Sequence, residues 1–156
     1  MSIYDDPKRT SEIVAALTVS YWMEMETIQN YLANSENLDG VRAEEIKKAL
    51  AEDITEELGH AQQIAKRIRV LGGRIPGSME FSASQKNLQP PRESTDVTTV
   101  IKGVIEAEEG AILQYRKIID LCDGYDYATQ DMCITLMENE ESHMREFVGF
   151  LREYEK

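Results

Sequence analysis

The sequence predicts an all-α protein: a four-helix bundle with a long crossover between its second and third helices. Three observations carry this. Four stretches repeat apolar residues at spacings of three and four, the period of an α-helix with one buried face. In each of the four stripes one glutamate stands where an apolar residue belongs. Residues 73–93, between the second and third stretches, hold Pro76, Pro90 and Pro91 and show no helical period.

The first helix is expected over residues 7–35. Its stripe is Ile13, Leu17, Tyr21, Glu24, Ile28 and Tyr31. Asp6 and Pro7 supply an N-cap and a first-turn proline, and the polar run from Asn34 to Gly40 ends it. The second is expected over 41–71, with Ile46, Leu50, Ile54, Glu57, Ala61, Ile64, Ile68 and Leu71 on one face and Gly72-Gly73 as its stop. A connection as long as 73–93 usually has a task. At ~3.3 Å per extended residue it can span a helix of roughly 28 residues, or ~42 Å. The third helix then starts at the far end of the bundle and runs parallel to the second. It is expected over 95–122, capped by Ser94, Thr95 or Asp96, with Val97, Ile101, Val104, Glu108, Ile112, Tyr115, Ile119 and Cys122 inward. After a turn at Asp123–Asp126 the fourth covers 128–155 through Cys133, Leu136, Glu140, Met144, Phe147, Leu151 and Tyr154. Residues 1–156 read as one domain.

The formal net charge of −12 argues against nucleic acid as a partner, since phosphate backbones need Lys and Arg. Solubility suffices to explain it; attraction of cations is the functional alternative. The longest apolar runs are a few residues, so no membrane-spanning helix is expected. Met1–Arg9 has no apolar stretch after a basic start, which points away from a secretory signal and toward the cytoplasm. Cys122 and Cys133 are too few for a disulfide framework and lack C-x-x-C spacing.

A single buried carboxylate is strongly disfavoured, so four at matching heights need a common explanation. They sit in a constellation that occurs twice. Glu24 precedes Tyr31 by seven residues and is followed by Glu57-Leu-Gly-His60. Glu108 precedes Tyr115 by seven and is followed by Glu140-Glu-Ser-His143. On a helix, positions i and i+3 share a side, so each Glu-x-x-His presents an oxygen and a nitrogen donor to one point. His60 and His143 are the chain's two histidines. Four carboxylates balance two divalent cations, and mixed carboxylate and imidazole donors suit iron or manganese. Two Fe ions are the expected occupants, with Mn or Zn as substitutes. Glu57 and Glu140 are expected to bridge them. Glu24 and Glu108 are expected to be terminal ligands, one per metal, alongside His60 and His143. Glu26 competes with Glu24, and Glu106 and Glu109 with Glu108; the stripe and the tyrosine spacing favour the chosen pair. Tyr31 and Tyr115 either hydrogen-bond a ligand carboxylate or pack in the core with the hydroxyl reaching water.

On Glu24-x6-Tyr31, Glu57-Leu-Gly-His60, Glu108-x6-Tyr115 and Glu140-Glu-Ser-His143, the chain resembles the ferritin-like superfamily, and most of all bacterioferritin and the Dps-like mini-ferritins. The resemblance covers all four helices. It implies a di-iron ferroxidase, an oxidoreductase that oxidises Fe(II) with O2 or H2O2 for iron storage or protection from oxidative stress in a homo-oligomeric shell. Leu58 stands where bacterioferritins carry a haem-ligating Met, which argues against haem. The chain ends soon after its fourth helix, which favours a 12-subunit shell or a dimer over a larger one. In the tail, Lys8 and Arg9 are balanced by Asp5 and Asp6, unlike a DNA-binding extension. The resemblance also suggests Cys122 and Cys133 as a redox pair; the alternative is two small core residues. Trp22, Met23 and Met25 exceed what one core needs and are expected to face a symmetry mate. Two other functions stay open: a rubrerythrin-like peroxide reductase that stores no iron, and a non-catalytic helical protein that binds a partner.

Overall fold

A computed structural model describes residues 4–156; the readings made on Met1–Ile3 lie outside the described residues. The architecture is all-α: α1 (Pro7–Asn37), α2 (Glu44–Val70), α3 (Val97–Cys122) and α4 (Tyr127–Tyr154), with no strand among the described residues. Asp6, Asp96 and Asp126 each accept the backbone N–H three residues on, at Arg9, Thr99 and Thr129, and so cap α1, α3 and α4. Gly72 adopts φ 86°, and the N–H of Gly73 returns to the Ile68 carbonyl at 2.9 Å, which closes α2.

Three expected boundaries move by two residues or more, one of them the start of α3, which is Val97 and not 95 because Asp96 is its cap. The polar run after Asn34 does not end α1, which continues to Asn37. The side chains of Asn34, Ser35 and Asn37 donate to the carbonyls of Asn30, Leu32 and Ala33, so these residues fold back onto the helix instead of competing with it. Gly40 at φ 95° makes the turn, and Val41–Ala43 is a 3-10 turn before α2 starts at Glu44.

α1 pairs with α2 and α3 with α4. The relation of the two hairpins follows from side-chain bonds. Tyr31 of α1 reaches Glu108 of α3, while Tyr115 of α3 reaches Glu24 of α1. These crossed bonds require α1 and α3 to be antiparallel, so α2 and α3 run parallel. At one end of the bundle Arg67, near the end of α2, donates to Asp126 at 2.9 Å and to Thr129 at 2.7 Å, at the start of α4.

The crossover therefore runs the length of the molecule, and it is laid along α1 in register. Trp22 Nε1 donates to the Ser82 carbonyl, and Glu26 accepts the N–H groups of Ser84 and Gln85. Asn30 donates to the Gln85 side chain, Asn34 to the Leu88 carbonyl, and the N–H of Asp39 to the Ser94 carbonyl. On its other side the strap crosses α3 at Gly103, where a Cβ would lie 2.2 Å from the Asn87 carbonyl oxygen. Short 3-10 turns at Ser78–Glu80 and Lys86–Leu88 are its regular structure. Trp22 also stacks on Phe81 of the strap, at 4.6 Å between centroids and 3° between planes. Part of the aromatic face expected to meet a symmetry mate is thus covered by the chain itself.

The core is in two parts. One gathers Tyr31, Leu38, Ile46, Leu50, Val97, Ile101, Val104 and Phe147; the other gathers Ile13, Leu17, Ile64, Ile68, Tyr115, Ile118, Cys122, Cys133 and Leu136. Between them lies a layer of carboxylates and imidazoles.

Candidate metal centre

One turn from each helix builds this layer, because each apolar stripe carries its glutamate at mid-length. Glu24, Glu57, Glu108 and Glu140 are each 1–2% exposed, His60 3% and His143 7%. Three groups of side chains could each hold an ion: Asp53, Glu56 and His143 form one, and two are built wholly from these six. Of those two, one is Glu24, Glu57, His60 and Glu140; the other is Glu57, Glu108, Glu140 and His143. Glu57 and Glu140 belong to both. His60 Nδ1 lies 3.0 Å from Glu140 and 3.7 Å from both Glu24 and Glu57. His143 Nδ1 lies 3.5 Å from Glu57, 3.6 Å from Glu140 and 4.0 Å from Glu108. All six side chains named from the sequence are brought together.

Both tyrosines are buried, and their hydroxyls reach carboxylates rather than water. Tyr115 donates to Glu24 at 2.7 Å and Tyr31 donates to Glu108. Each serves the glutamate of the other helix, not its own. Burial and the surrounding carboxylates push both phenols well above their ordinary range, so they stay protonated donors.

Without cations, protons carry the compensating charge. Burial pushes His60 down, but its hydrogen bond to Glu140 and the nearby Glu57 carboxylate outweigh it and hold the imidazole up at about 10. For His143 burial likewise pushes down, but the nearby Glu140, Glu57 and Asp53 carboxylates outweigh it and hold the imidazole at about 11. Burial, together with Glu140 and Glu57, raises Glu108 well above the carboxylate range. Glu140 is held low despite burial, by the neighbouring Glu108, His143 and His60, the last of which hydrogen-bonds it.

The donor set fits a pair of divalent cations. Glu24 Oε2, Glu57 Oε1, Glu108 Oε2, Glu140 Oε2 and His143 Nδ1 are buried and have no hydrogen-bond partner. Folded proteins seldom leave such atoms unpaired, and here they all border one point. Oxygen and imidazole donors without thiolate suit divalent cations such as iron, manganese or zinc.

The competing glutamates have other tasks. Glu26 clamps the crossover, Glu106 accepts from Asn87 Nδ2 at 2.8 Å, and Glu109 is exposed. Glu26 is nonetheless 4% exposed: it faces the strap, whose backbone N–H groups satisfy it. Sequence reasoning missed Asp53, Glu56 and Asn139. Glu56 hydrogen-bonds Nε2 of His143, Asp53 lies 3.7 Å from the same nitrogen, and Asn139 lies 3.3 Å from Nε2 of His60. Burial pushes Asp53 up to about 7. The available signal was position: Glu56 and Asn139 each immediately precede a shared glutamate.

Cys122 and Cys133 are free thiols, fully buried in the apolar cluster that also contains Ile118 and Leu136. Burial pushes both up to about 12, so neither is a ready thiolate. Leu58 is exposed. No helix among the described residues is long and apolar enough to cross a membrane.

The sequence matches the family described as Ferritin-like domain over residues 14–156, and the chain belongs to that family. It is 28% identical over 123 residues to the DNA protection during starvation protein of Pyrococcus furiosus, spanning 77% of this chain and 66% of that protein. The chain thus spans just under two thirds of the length of that relative. Among solved structures it superposes on a dodecameric thioferritin, the bacterioferritin-related protein of Bacteroides fragilis, with TM-score 0.79, 23% identity and coverage of 93% and 87%. It superposes on Desulfovibrio desulfuricans bacterioferritin, which has a diiron site, with TM-score 0.81, 20% identity and coverage of 95% and 82%. A Mycobacterium smegmatis Dps1 mutant gives TM-score 0.81 at 17% identity over 94% and 99%. At these identities the likeness is one of fold.

Proposed function

We propose that this chain is a ferroxidase: it binds two Fe(II) ions side by side as substrate and oxidises them with O2 or H2O2. The observation that carries the reading is the buried layer of four glutamates and two histidines, with unpaired donor atoms around one point. Glu24 and His60 hold one ion, Glu108 and His143 the other, and Glu57 and Glu140 serve both. Each ion gives up one electron, so one H2O2 with two protons yields two waters and two Fe(III). The chain's own residues prepare this. Tyr31 and Tyr115 orient the terminal carboxylates, and the two apolar clusters confine oxidation to the centre. Protons held on His60, His143 and Glu108 leave as cations bind.

The ferric product is stored in a homo-oligomer, a 12-subunit shell being favoured by likeness to the dodecameric thioferritin. The acidic balance of −12 steers cations toward it. The buried cysteines share one apolar cluster and are the candidates for a redox pair. The test is stopped-flow absorbance of ferric product with light scattering of the same sample. Wild type should oxidise Fe(II) rapidly from an assembly near twelve chains, and Glu57→Ala and Glu140→Ala should lose the fast phase. Wild-type rates in Glu57→Ala would sink the site assignment.

A further inference from the structure

The two halves of the centre repeat the same ligand types but not the residues behind the imidazoles. One and four residues before Glu57 stand Glu56 and Asp53. The same offsets before Glu140 give Asn139 and Leu136. The difference is carried into contacts. Nε2 of His143 hydrogen-bonds the Glu56 carboxylate, and Asp53 Oδ1 lies 3.7 Å away. Asp53 is 6% exposed, and its Oδ2 has no hydrogen-bond partner. Nε2 of His60 faces the neutral side-chain amide of Asn139 at 3.3 Å, while Leu136 is buried in the apolar core. Otherwise the halves match: both imidazoles turn Nδ1 inward, and each terminal glutamate accepts one tyrosine hydroxyl.

We propose that this asymmetry fixes the order of filling: a divalent cation binds first and more tightly between Glu108 and His143, and second between Glu24 and His60. The proposal rests on the two-metal reading above. An imidazole that ligates through Nδ1 carries its proton on Nε2. When that N–H donates to a carboxylate, the ring becomes a more basic ligand and is held in place. Glu56 does this for His143, and Asp53 adds acceptor capacity one turn back. For His60, the amide of Asn139 turned to present its oxygen gives a neutral hydrogen bond, roughly half as strong. Losing such an outer partner typically costs about 10–100-fold in metal affinity, so the two positions should differ by about that factor. Two-ion oxidation then begins only when the weaker His60 position fills, and that position sets the iron threshold of the protein.

Zn(II) tests this without redox chemistry. Crystals of the whole protein grown with one equivalent of Zn(II) per chain should show anomalous scattering concentrated between Glu108 and His143. Calorimetric titration should resolve a tight and a weak step. Glu56→Gln, at a side chain more than half exposed and so tolerant of change, should weaken the tight step about tenfold and leave the weak one in place. Asn139→Asp, also at an exposed position, should tighten the weak step by a similar factor. Equal occupancy in wild type, or filling on the His60 side first, overturns the proposal. So does a Glu56→Gln variant whose two steps are unchanged. Zn(II) at neither position would instead overturn the two-metal reading.

Discussion

Replacing Glu108 by glutamine separates folding from metal binding. Glu108 is 2% exposed; it accepts the Tyr31 hydroxyl, and one of its oxygens has no hydrogen-bond partner. Burial and the neighbouring carboxylates favour its neutral form. Glutamine keeps a carbonyl acceptor for Tyr31 and a donor toward Glu140. Metal-free stability should therefore change by no more than about 1 kcal/mol, the net worth of one hydrogen bond. Metal-dependent stability should change far more. With free cation at a hundred times the Kd of the weaker position, each filled position contributes at least about 2.7 kcal/mol. Two positions give at least about 5 kcal/mol, and at about 2–4 °C per kcal/mol for a chain of this size the wild-type Tm should rise by at least about 10–20 °C. The variant, left with one intact position, should keep at most half of that rise. Scanning calorimetry of both proteins with and without Zn(II), at one protein concentration, decides it. An equal metal-induced rise in both would show that Glu108 is not a ligand. A metal-free variant weakened by more than about 3 kcal/mol would show that Glu108 is held for folding instead, since breaking a needed buried pair costs about that much.

Other perturbations test the surroundings. His60 and His143 are raised to about 10 and about 11 from an ordinary 6.5, so the folded state holds their protons more tightly than the unfolded chain does. Their contribution is fully present below about pH 6.5 and is lost as pH rises through about 10. The urea midpoint of metal-free protein should fall steadily across that window, and a flat or rising profile would contradict the assignment. Glu26→Ala should loosen the strap, cost about 1–3 kcal/mol in urea denaturation and speed proteolysis within residues 74–93, yet leave ion binding intact. Gly103→Ala places a Cβ 2.2 Å from the Asn87 carbonyl oxygen and should cost about 1–3 kcal/mol by forcing the strap off α3; unchanged stability would mean that the strap has slack there.

The buried layer of carboxylates and imidazoles was legible because a helix repeats every 3.6 residues. A glutamate inside an apolar stripe, and a histidine three residues on, must face the same interior, and Glu24, Glu57, His60, Glu108, Glu140 and His143 do meet there. The parallel course of α2 and α3 followed from the length of the proline-containing segment. What depends on contacts between distant segments was not legible. Whether Tyr31 and Tyr115 bond a carboxylate or only pack was open, and antiparallel packing of α1 and α3 decides it by bringing each to the glutamate of the other helix. Glu26 looks like a surface residue off the stripe, because nothing periodic in residues 73–93 signals a strap laid against it. The end of α1 was missed for a local reason: Asn34, Ser35 and Asn37 are turn formers that here bond back to their own helix. Glu56 and Asn139 carried a visible signal in their equal offset from Glu57 and Glu140, but only the contacts with His143 and His60 give it meaning.

The most direct test is the number of Fe(II) ions bound per chain without oxygen, measured by equilibrium dialysis with metal analysis, for wild type and for Glu57→Ala. The account predicts two ions per chain in wild type. In Glu57→Ala, which removes a ligand common to both groups, it predicts loss of tight binding at both positions together. A wild type that binds no Fe(II), or a Glu57→Ala variant that still binds two ions with wild-type affinity, would contradict it.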